Sequence, residues 1–328
     1  MISAISLTGI ILIVIGVLLF IVAAYLVACY IGYYLIIVKP PRFDVTKPNA
    51  LIGPDFPAMV RQLHIDIKEL KKYHSEPITV VTADGLKLYG YFYRNPKETK
   101  VTIVCLHGYN STGYGDFGSR ALGYLQLGYN VLIVNHRHCA KSEGKCTGFG
   151  VLDRYDVPLW LDAVNARIPD GEIFISGLSM GGALAMQVSC MDLPKNVKAI
   201  IEDCGFTSVK EVFEYQCRRV VHFVPHLTIK VIDFYMRKFA GYGADEVNSV
   251  DTVKHSKVPI FFIHGDTDYF VPTEMVFRVY DACTTEKELY LVKDCGHAMS
   301  EFKNPDEYFK RIDNFIRKYS DILKEQKQ

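Results

Sequence analysis

The chain has 328 residues, of which 49% are apolar and 22% are charged, and this balance is typical of a globular protein and excludes a disordered chain. Its 37 Lys and Arg residues almost cancel its 36 Asp and Glu residues, which leaves a net charge of +1. Because no large electrostatic field would attract nucleic acid, we expect no nucleic-acid partner and a neutral or amphipathic substrate.

The N-terminal segment carries no charged residue between Leu7 and Val38. About 20 apolar residues span the core of a bilayer, so residues 1–41 are predicted to form a single-pass transmembrane anchor that ends at Pro40 and Pro41. A cleaved signal peptide is the alternative interpretation. The segment is too long for a signal-peptide core, however, and no basic residue precedes it.

The basic residues nearest to this anchor, Lys39, Arg42 and Lys47, all follow it. Cytoplasmic flanks of transmembrane helices are enriched in Lys and Arg, so the rest of the chain is predicted to lie in the cytoplasm. Residues 42–75 are predicted to form a connector with one short helix, and no chemistry is evident in them.

Residues 76–328 alternate between strand-like and helix-like segments. Asp84 and Gly85 separate two strand-like runs and predict a hairpin. Further predicted strands are Val101–Leu106, Val131–Val134, Ile173–Ser176, Val197–Ile201, Val258–Ile263 and Glu288–Val292. Predicted helices lie near Phe117–Leu127, Leu152–Ile168, Met180–Met191 and Glu274–Ala282, and a last one starts at Asn304 and Pro305 and continues through Leu323. This alternation predicts an α/β fold with a mostly parallel sheet and helices on both faces.

The alternation breaks at residues 206–257, a stretch rich in aromatic residues. They include Phe213, Tyr215, Phe223, Phe234, Tyr235 and Phe239. We predict a small helical cap over the carboxyl edge of the sheet, which would exclude water and favour a substrate with a hydrophobic part. The alternative interpretation is that each of these aromatic residues belongs to ordinary packing.

A sharp turn between a strand and a helix is predicted at Gly177-Leu178-Ser179-Met180-Gly181. This G-x-S-x-G pattern is typical of the nucleophile elbow, in which small residues allow a strained turn that exposes the serine hydroxyl. Ser179 is therefore the predicted nucleophile.

A serine nucleophile needs a general base, and His297 is placed best because it follows the last predicted strand. The acid that orients the base is expected between the serine and the histidine in sequence, directly after a strand. Asp268 is the predicted acid, and Asp266 is interpreted as a turn former. Glu202 and Asp203, after the preceding strand, are weaker candidates for the acid.

From about Asp84 onward the sequence resembles bacterial α/β hydrolases of the serine aminopeptidase and lysophospholipase-like superfamily. The matching motifs, in chain order, are Leu106-His-Gly-Tyr-Asn110, Gly177–Gly181, Asp268-x-x-Val-Pro272 and Gly296-His297. One segment departs from the family, because relatives often carry Asp-x-Arg-Gly-His-Gly-x-Ser where this chain has Asn135-His-Arg-His-Cys-Ala-Lys-Ser142. The departure predicts a local change in the shape of the pocket, with His136 and His138 in structural or solvated roles.

The resemblance implies an α/β-hydrolase fold with an oxyanion hole formed by the backbone N–H groups of Tyr109 and Met180. It also implies acyl transfer through an acyl-enzyme on Ser179, with no metal and no cofactor. We expect a carboxylesterase or lysophospholipase-like enzyme that acts on a small-molecule or lipid-like ester, since the anchor and the apolar cap place the site near lipid.

Two alternatives stay open. A serine aminopeptidase or amidase would need an acidic subsite for the amine of its substrate, and the candidates for this subsite are Glu202, Asp203 and Asp116. A membrane-tethered binding protein could keep the fold without activity. The oligomeric state is open, as is a disulfide between Cys139 and Cys146, although the nine cysteines include no C-x-x-C pair and are expected to be mostly buried thiols.

Overall fold

A computed structural model describes residues 6–40, 53–221 and 225–325 of the chain. The predictions made for Pro41, Arg42, Lys47 and Phe223 lie outside these residues. The first element is helix α1 (Leu7–Tyr33), and Ser6 caps its N-terminus by accepting a hydrogen bond from Gly9 N at 3.2 Å. A π-helical turn extends the helix to Val38, so Leu7–Val38 is one apolar helix that is long enough to cross a membrane.

The remaining elements follow in regular alternation. The strands are β1 (Ser75–Val81), β2 (Lys87–Tyr93), β3 (Val101–Leu106), β4 (Asn130–Val134), β5 (Glu172–Leu178), β6 (Val197–Asp203), β7 (Ile260–Gly265) and β8 (Lys287–Val292). The helices are α2 (Phe56–Leu70), α3 (Gly113–Gln126), α4 (Val157–Asn165), α5 (Met180–Val188), α6 (Val209–Val221), α7 (Pro225–Tyr235), α8 (Ser249–Val253), α9 (Glu274–Ala282), α10 (Ser300–Lys303), α11 (Pro305–Tyr319) and α12 (Asp321–Glu325).

The eight strands form one sheet in the order β1-β2-β4-β3-β5-β6-β7-β8. Strand β2 pairs antiparallel with β1 and β4, and every other neighbouring pair is parallel. The predicted hairpin at Asp84 and Gly85 joins β1 to β2, and Gly85 has a φ of +85°, which a glycine adopts without strain. The prediction of a mostly parallel sheet is confirmed. Because parallel strands end at the same edge, the loops after β3, β5, β6, β7 and β8 meet there.

Helices cover both faces of the sheet, as predicted, and each face has its own core. Val104 and Leu132 point into a core that contains α4, α5, α9 and the second half of α1. Cys105 and Ile133, one position along each strand, point into the opposite core with α2, α3 and α11. The alternation follows from the two-residue period of a strand.

Three predicted helices are shorter than their sequence patterns, and one of them, α5, ends at Val188 instead of Met191. Helix α4 starts at Val157 because the preceding residues form a short turn in which the Asp153 carboxylate accepts a hydrogen bond from Gly150 N. Helix α11 ends at Tyr319 instead of continuing to Leu323. The buried Glu172 carboxylate accepts hydrogen bonds from the Ser320 hydroxyl and Asp321 N, which breaks the helix and starts α12.

Residues 206–257 contain helices α6, α7 and α8. A π-helical turn over Met236–Ala240 extends α7. The aromatic residues of this stretch divide into two groups: Phe213 is buried in the core, while Phe234 and Phe239 are exposed.

Candidate active site

Ser179 lies between β5 and α5 with φ 55° and ψ −113°, which is a strained conformation for a residue with a side chain. The flanking glycines explain why the chain can turn so sharply. A Cβ on Gly177 would lie 2.1 Å from Gly181 O, and a Cβ on Gly181 would lie 1.8 Å from Leu106 O. Only glycine fits at these two positions, so the G-x-S-x-G pattern has a steric cause at this turn.

His297 connects the serine to the predicted acid. Its Nε2 lies 2.9 Å from Ser179 Oγ, and its Nδ1 lies 2.7 Å from Asp268 Oδ2. With Nδ1–H donating to the carboxylate, Nε2 is free to accept the serine proton. The three side chains follow β5, β7 and β8 and are all buried. The structure therefore brings the predicted nucleophile, base and acid into one hydrogen-bonded line.

Asp268 is held from several directions. Its Oδ1 accepts hydrogen bonds from Phe270 N at 2.8 Å and Val271 N at 2.9 Å, while Oδ2 contacts His297. Asp266 is used differently, because its Oδ1 accepts from Cys295 N at 3.3 Å and so joins two loops. Asp266 lies in the turn after β7, in agreement with its interpretation as a turn former.

A second histidine, His264 at the end of β7, also faces Asp268. Its Nε2 lies 3.4 Å from Asp268 Oδ2 and 3.0 Å from Val271 O. Burial acts to raise the pKa of the Asp268 carboxyl, but the two adjacent histidines outweigh it and hold this pKa below its ordinary value. Sequence analysis did not assign a role to His264, although its position in His264-Gly-Asp next to the acid loop was a signal.

Glu202 and Asp203, the weaker candidates for the acid, have other surroundings. The fully buried Glu202 accepts a hydrogen bond from Gly205 N at 2.8 Å, and burial raises its pKa to about 8 despite the opposing effect of His264. Asp203 accepts from Ser300 Oγ at 2.9 Å and lies 3.4 Å from the Arg120 guanidinium. These two carboxyl groups therefore contact other residues, and the hydrogen bonds of His297 go to Ser179 and Asp268 instead.

The loop after β3, which contains Tyr109, passes directly beside the serine. A Cβ on Gly108 would lie 3.3 Å from Ser179 Cβ. The Asp116 carboxylate holds this loop by accepting hydrogen bonds from Gly108 N at 2.5 Å and Ser111 Oγ at 2.6 Å. Met180 is the first residue of α5, where backbone N–H groups have no acceptor within the helix. Both predicted oxyanion residues thus flank Ser179, and the role of Asp116 as a support for the loop was not predicted.

His107 and His136 support the same loop through hydrogen bonds. His107 Nδ1 donates to Gly108 O at 2.7 Å, and its Nε2 accepts from His136 N at 3.1 Å. Burial lowers the pKa of His107 to about 3 and that of His136 to about 4, so both rings are neutral at neutral pH. These contacts agree with the structural role expected for His136.

Comparison with known proteins finds similar chains. Residues 101–228 match the family described as alpha/beta hydrolase fold. The protein YqkD of Bacillus subtilis (strain 168) is 28% identical over 262 residues, which cover 79% of this chain and 84% of YqkD. The lysophosphatidylserine lipase ABHD12 of Danio rerio is 23% identical over 221 residues, which cover 66% of this chain and 56% of that protein.

Solved structures of similar proteins have the same fold. The Pyrococcus furiosus esterase Pf2001 superposes with a TM-score of 0.61 and 23% identity, over 77% of this chain and 95% of the esterase. The chain has the α/β-hydrolase fold. The resemblance found in the sequence is thereby confirmed, and Ser179 lies where this fold places its elbow, between a central parallel strand and a helix.

The π-helical turn that extends α1 contacts the loops around Ser179. The Tyr109 hydroxyl donates to Ile36 O at 2.7 Å, and Thr147 N donates to Ile37 O at 3.0 Å. His138 Nε2 lies 2.8 Å from Val38 O. The segment that departs from the family pattern therefore supplies a contact to the N-terminal helix. His138 is exposed and makes this contact, which agrees with the structural or solvated role predicted for it.

Aromatic side chains line the surroundings of the serine loop. The Phe149 ring lies 4.8 Å from the Tyr109 ring, 5.0 Å from Phe213 and 6.4 Å from Phe206. The Phe270 ring lies 4.8 Å from the His297 imidazole. Such a lining excludes water and strengthens electrostatic interactions within the site.

One group of side chains in the described residues has donor atoms close enough to hold a metal ion: Cys204, Asp268 and His297, within 4.8 Å of one another. Both nitrogens of His297 are already engaged with Asp268 and Ser179. Burial also raises the pKa of the Cys204 thiol well above its ordinary value, which disfavours the thiolate that a metal would require. The donor set therefore fits the hydrogen-bonded line better than a metal site. All nine cysteines lie in the described residues and are free thiols, Cys139 and Cys146 included.

Proposed function

We propose that the protein is a serine hydrolase that cleaves carboxylic esters through an acyl-enzyme. The observation that carries this proposal is the hydrogen-bonded line from Ser179 through His297 to Asp268 at a strained elbow. This order and geometry are those of a nucleophile, a general base and an orienting acid.

In the proposed reaction, Ser179 Oγ attacks the ester carbonyl carbon while His297 Nε2 accepts its proton. The N–H groups of Tyr109 and Met180 stabilise the negative charge on the carbonyl oxygen. The imidazolium then gives its proton to the alkoxide as the ester bond breaks. Water attacks the acyl-enzyme with His297 again acting as base, which releases the carboxylic acid and restores the serine. Asp268 holds the imidazole in the required tautomer throughout.

The surroundings of the site favour an ester over a peptide. An aminopeptidase would need an accessible carboxylate for the substrate amine, yet Glu202 is fully buried and Asp203 is engaged with Arg120 and Ser300. Both oxygens of Asp116 accept hydrogen bonds from the loop that it supports. Glu202 is therefore inaccessible, and Asp203 and Asp116 are committed to other contacts.

The substrate proposed for this site is an ester with a long acyl chain, such as a lysophospholipid. The aromatic residues around Phe149 provide an apolar lining, which suits a hydrophobic acyl group. Two of the similar proteins are named as a lysophosphatidylserine lipase and an esterase, which supports ester hydrolysis.

We propose that α1 anchors this enzyme in a membrane with the hydrolase domain on the cytoplasmic side. No side chain of Leu7–Ala24 is buried against the protein. Eighteen helical residues extend about 27 Å, close to the ~30 Å core of a bilayer. Lys39 follows the helix, as the positive-inside rule requires.

The test is hydrolysis of p-nitrophenyl esters of increasing chain length by the full-length protein in detergent. We expect turnover that rises with acyl length and falls by at least about 1000-fold in Ser179→Ala. Ser256→Ala is the matched control, because the hydroxyl of this serine bonds locally to Val258 in a loop before β7, donating to Val258 O and accepting from Val258 N. Wild-type turnover in Ser179→Ala would refute the proposal, and no turnover in any sample would favour a binding protein.

A further inference from the structure

Helix α7 lies alongside the second half of α1. The Tyr25 hydroxyl lies 3.0 Å from Thr228 Oγ1, and the Tyr235 hydroxyl donates to Leu26 O at 3.2 Å. Further along both helices, the Tyr33 ring lies 6.1 Å from the Phe239 ring. The two helices therefore run in the same direction from the point where α1 meets the hydrolase domain.

The outer surface of this helix pair is apolar. Leu227, Phe234 and Phe239 of the α7 segment are 49%, 56% and 53% exposed. Four residues of the N-terminal helix are each at least 40% exposed: Tyr30 and Ile31 in α1, and Tyr34 and Leu35 in the π-helical turn that extends it. The Tyr30 ring lies 5.9 Å from the Phe239 ring, which joins the two sets. We call these seven residues the interfacial face, and a contiguous apolar surface of this kind marks an interaction site.

Basic side chains accompany the interfacial face. Lys238 Nζ lies 5.8 Å from the centre of the Phe234 ring and 5.6 Å from that of Phe239, and Lys230 is exposed on the same helix. Aromatic rings combined with lysines are the composition that binds the boundary between lipid headgroups and acyl chains, with the lysines attracted to anionic headgroups.

The position of the interfacial face along α1 points to the same partner. Helix Leu7–Val38 has 32 residues and extends about 48 Å, which exceeds the ~30 Å bilayer core. If Leu7–Ala24 fills the core, Tyr25 and the start of α7 lie at the membrane boundary. The interfacial face continues from that boundary without an interruption in apolar surface.

We propose that the interfacial face docks into the headgroup boundary of the bilayer that α1 crosses, so that α7 forms a second membrane contact of the hydrolase domain. The same end of α1 bonds through Ile36 O to the loop that flanks Ser179. Docking therefore holds the active-site loops against the leaflet from which a lipid ester enters. This inference rests on the proposed anchorage by α1.

Tryptophan fluorescence of the full-length protein in vesicles with anionic and brominated lipids tests the docking. The single native tryptophan, Trp160, is 1% exposed and serves as a constant background. Phe234→Trp and Phe239→Trp report on the interfacial face, and Phe20→Trp reports on the anchor. Ile65→Trp is the matched control, since this exposed residue of α2 lies on the helix layer that covers the opposite face of the sheet.

We expect bromines near the headgroups to quench Phe234→Trp and Phe239→Trp at least about twofold more than Ile65→Trp, because interfacial residues insert some 5–10 Å. Bromines near the chain ends should quench Phe20→Trp. If Phe20→Trp is quenched while the two α7 variants match Ile65→Trp, the docking proposal is wrong and the anchor stands. If Phe20→Trp is not quenched either, both are wrong.

The functional consequence is tested with the double variant Phe234→Ser and Phe239→Ser. Its rate on a lipid ester held in vesicles should fall about tenfold, while its rate on a short water-soluble ester stays at the wild-type value. Equal rates on the vesicle substrate would overturn the role of docking in substrate access. Loss of the proposed hydrolase activity would abolish both rates and leave the quenching results unchanged.

Discussion

Two neighbouring regions at the carboxyl edge of the sheet each bury acidic side chains, and their surroundings differ. After β7, Asp268 receives two backbone N–H groups and faces two histidines, and its pKa lies below the ordinary value. At the end of β6, Glu202 receives one backbone N–H, and its pKa is raised to about 8 by burial. The contrast indicates that the two histidines next to Asp268 offset the effect of burial, which at Glu202 dominates and raises the pKa of the carboxyl group.

Of the changes to these acidic residues and their neighbours, removing the negative charge of Asp268 should lower kcat the most. Asp268→Asn is expected to lower kcat by about 1000-fold or more, because the amide cannot stabilise the imidazolium and favours the wrong tautomer of His297. The check is kcat for a p-nitrophenyl ester at neutral pH. Asp266→Asn is the matched control and should stay within about threefold of wild type, since Asp266 bonds to Cys295 N. A reversed ranking of the two variants would mean that Asp266 is the acid.

A variant of His264 tests whether this second histidine affects the charge that Asp268 presents to His297. His264→Phe is expected to lower kcat by about tenfold and to move the acid limb of the kcat/KM profile to higher pH, because Asp268 then presents more negative charge to His297. The measurement is a pH profile of ester hydrolysis between pH 5 and pH 9 in the same sequence background. A lower rate with an unmoved acid limb would limit His264 to a packing role.

Glu202 should affect stability more than turnover. Its ordinary pKa of 4.5 is raised to about 8, so the folded protein retains a proton that the unfolded chain loses over this interval. The contribution of Glu202 to the free energy of unfolding is fully present below about pH 4.5. It is lost as the pH rises to about 8, at up to about 1 kcal/mol per pH unit. Thermal unfolding midpoints of wild type should therefore fall relative to Glu202→Gln from pH 5 to pH 8. A constant difference between the two proteins would contradict the raised pKa.

The same comparison explains what sequence could predict. Ser179, Asp268 and His297 were identified because each lies in a short motif after a strand, in an order that the fold imposes. Chain order allows Asp268, Asp266 and Glu202 alike, because all three lie between Ser179 and His297, and only the motif Asp268-x-x-Val-Pro272 favours Asp268. His264 gained no role because its contact with Asp268 depends on how the acid loop bends back over β7.

Long-range contacts account for the other differences. Helix α11 ends early because Glu172, 149 positions away from Asp321, bonds to the chain there. The segment Leu7–Val38 is uniformly apolar, so its hydropathy does not distinguish its two halves. In the structure, Cys29, Tyr33 and Ile37 pack against the rest of the protein, and the first half of the helix does not. Local patterns predict elements and motifs, whereas which apolar surface meets which partner depends on the tertiary fold.

The central claim is that Ser179 is an activated nucleophile, and fluorophosphonate labelling of the full-length protein tests it most directly. We expect wild type and Ser256→Ala to be labelled on the peptide that contains Ser179, at a rate that falls in His297→Ala, while Ser179→Ala is not labelled. Absence of labelling in the wild type, or equal labelling of Ser179→Ala, would contradict the account.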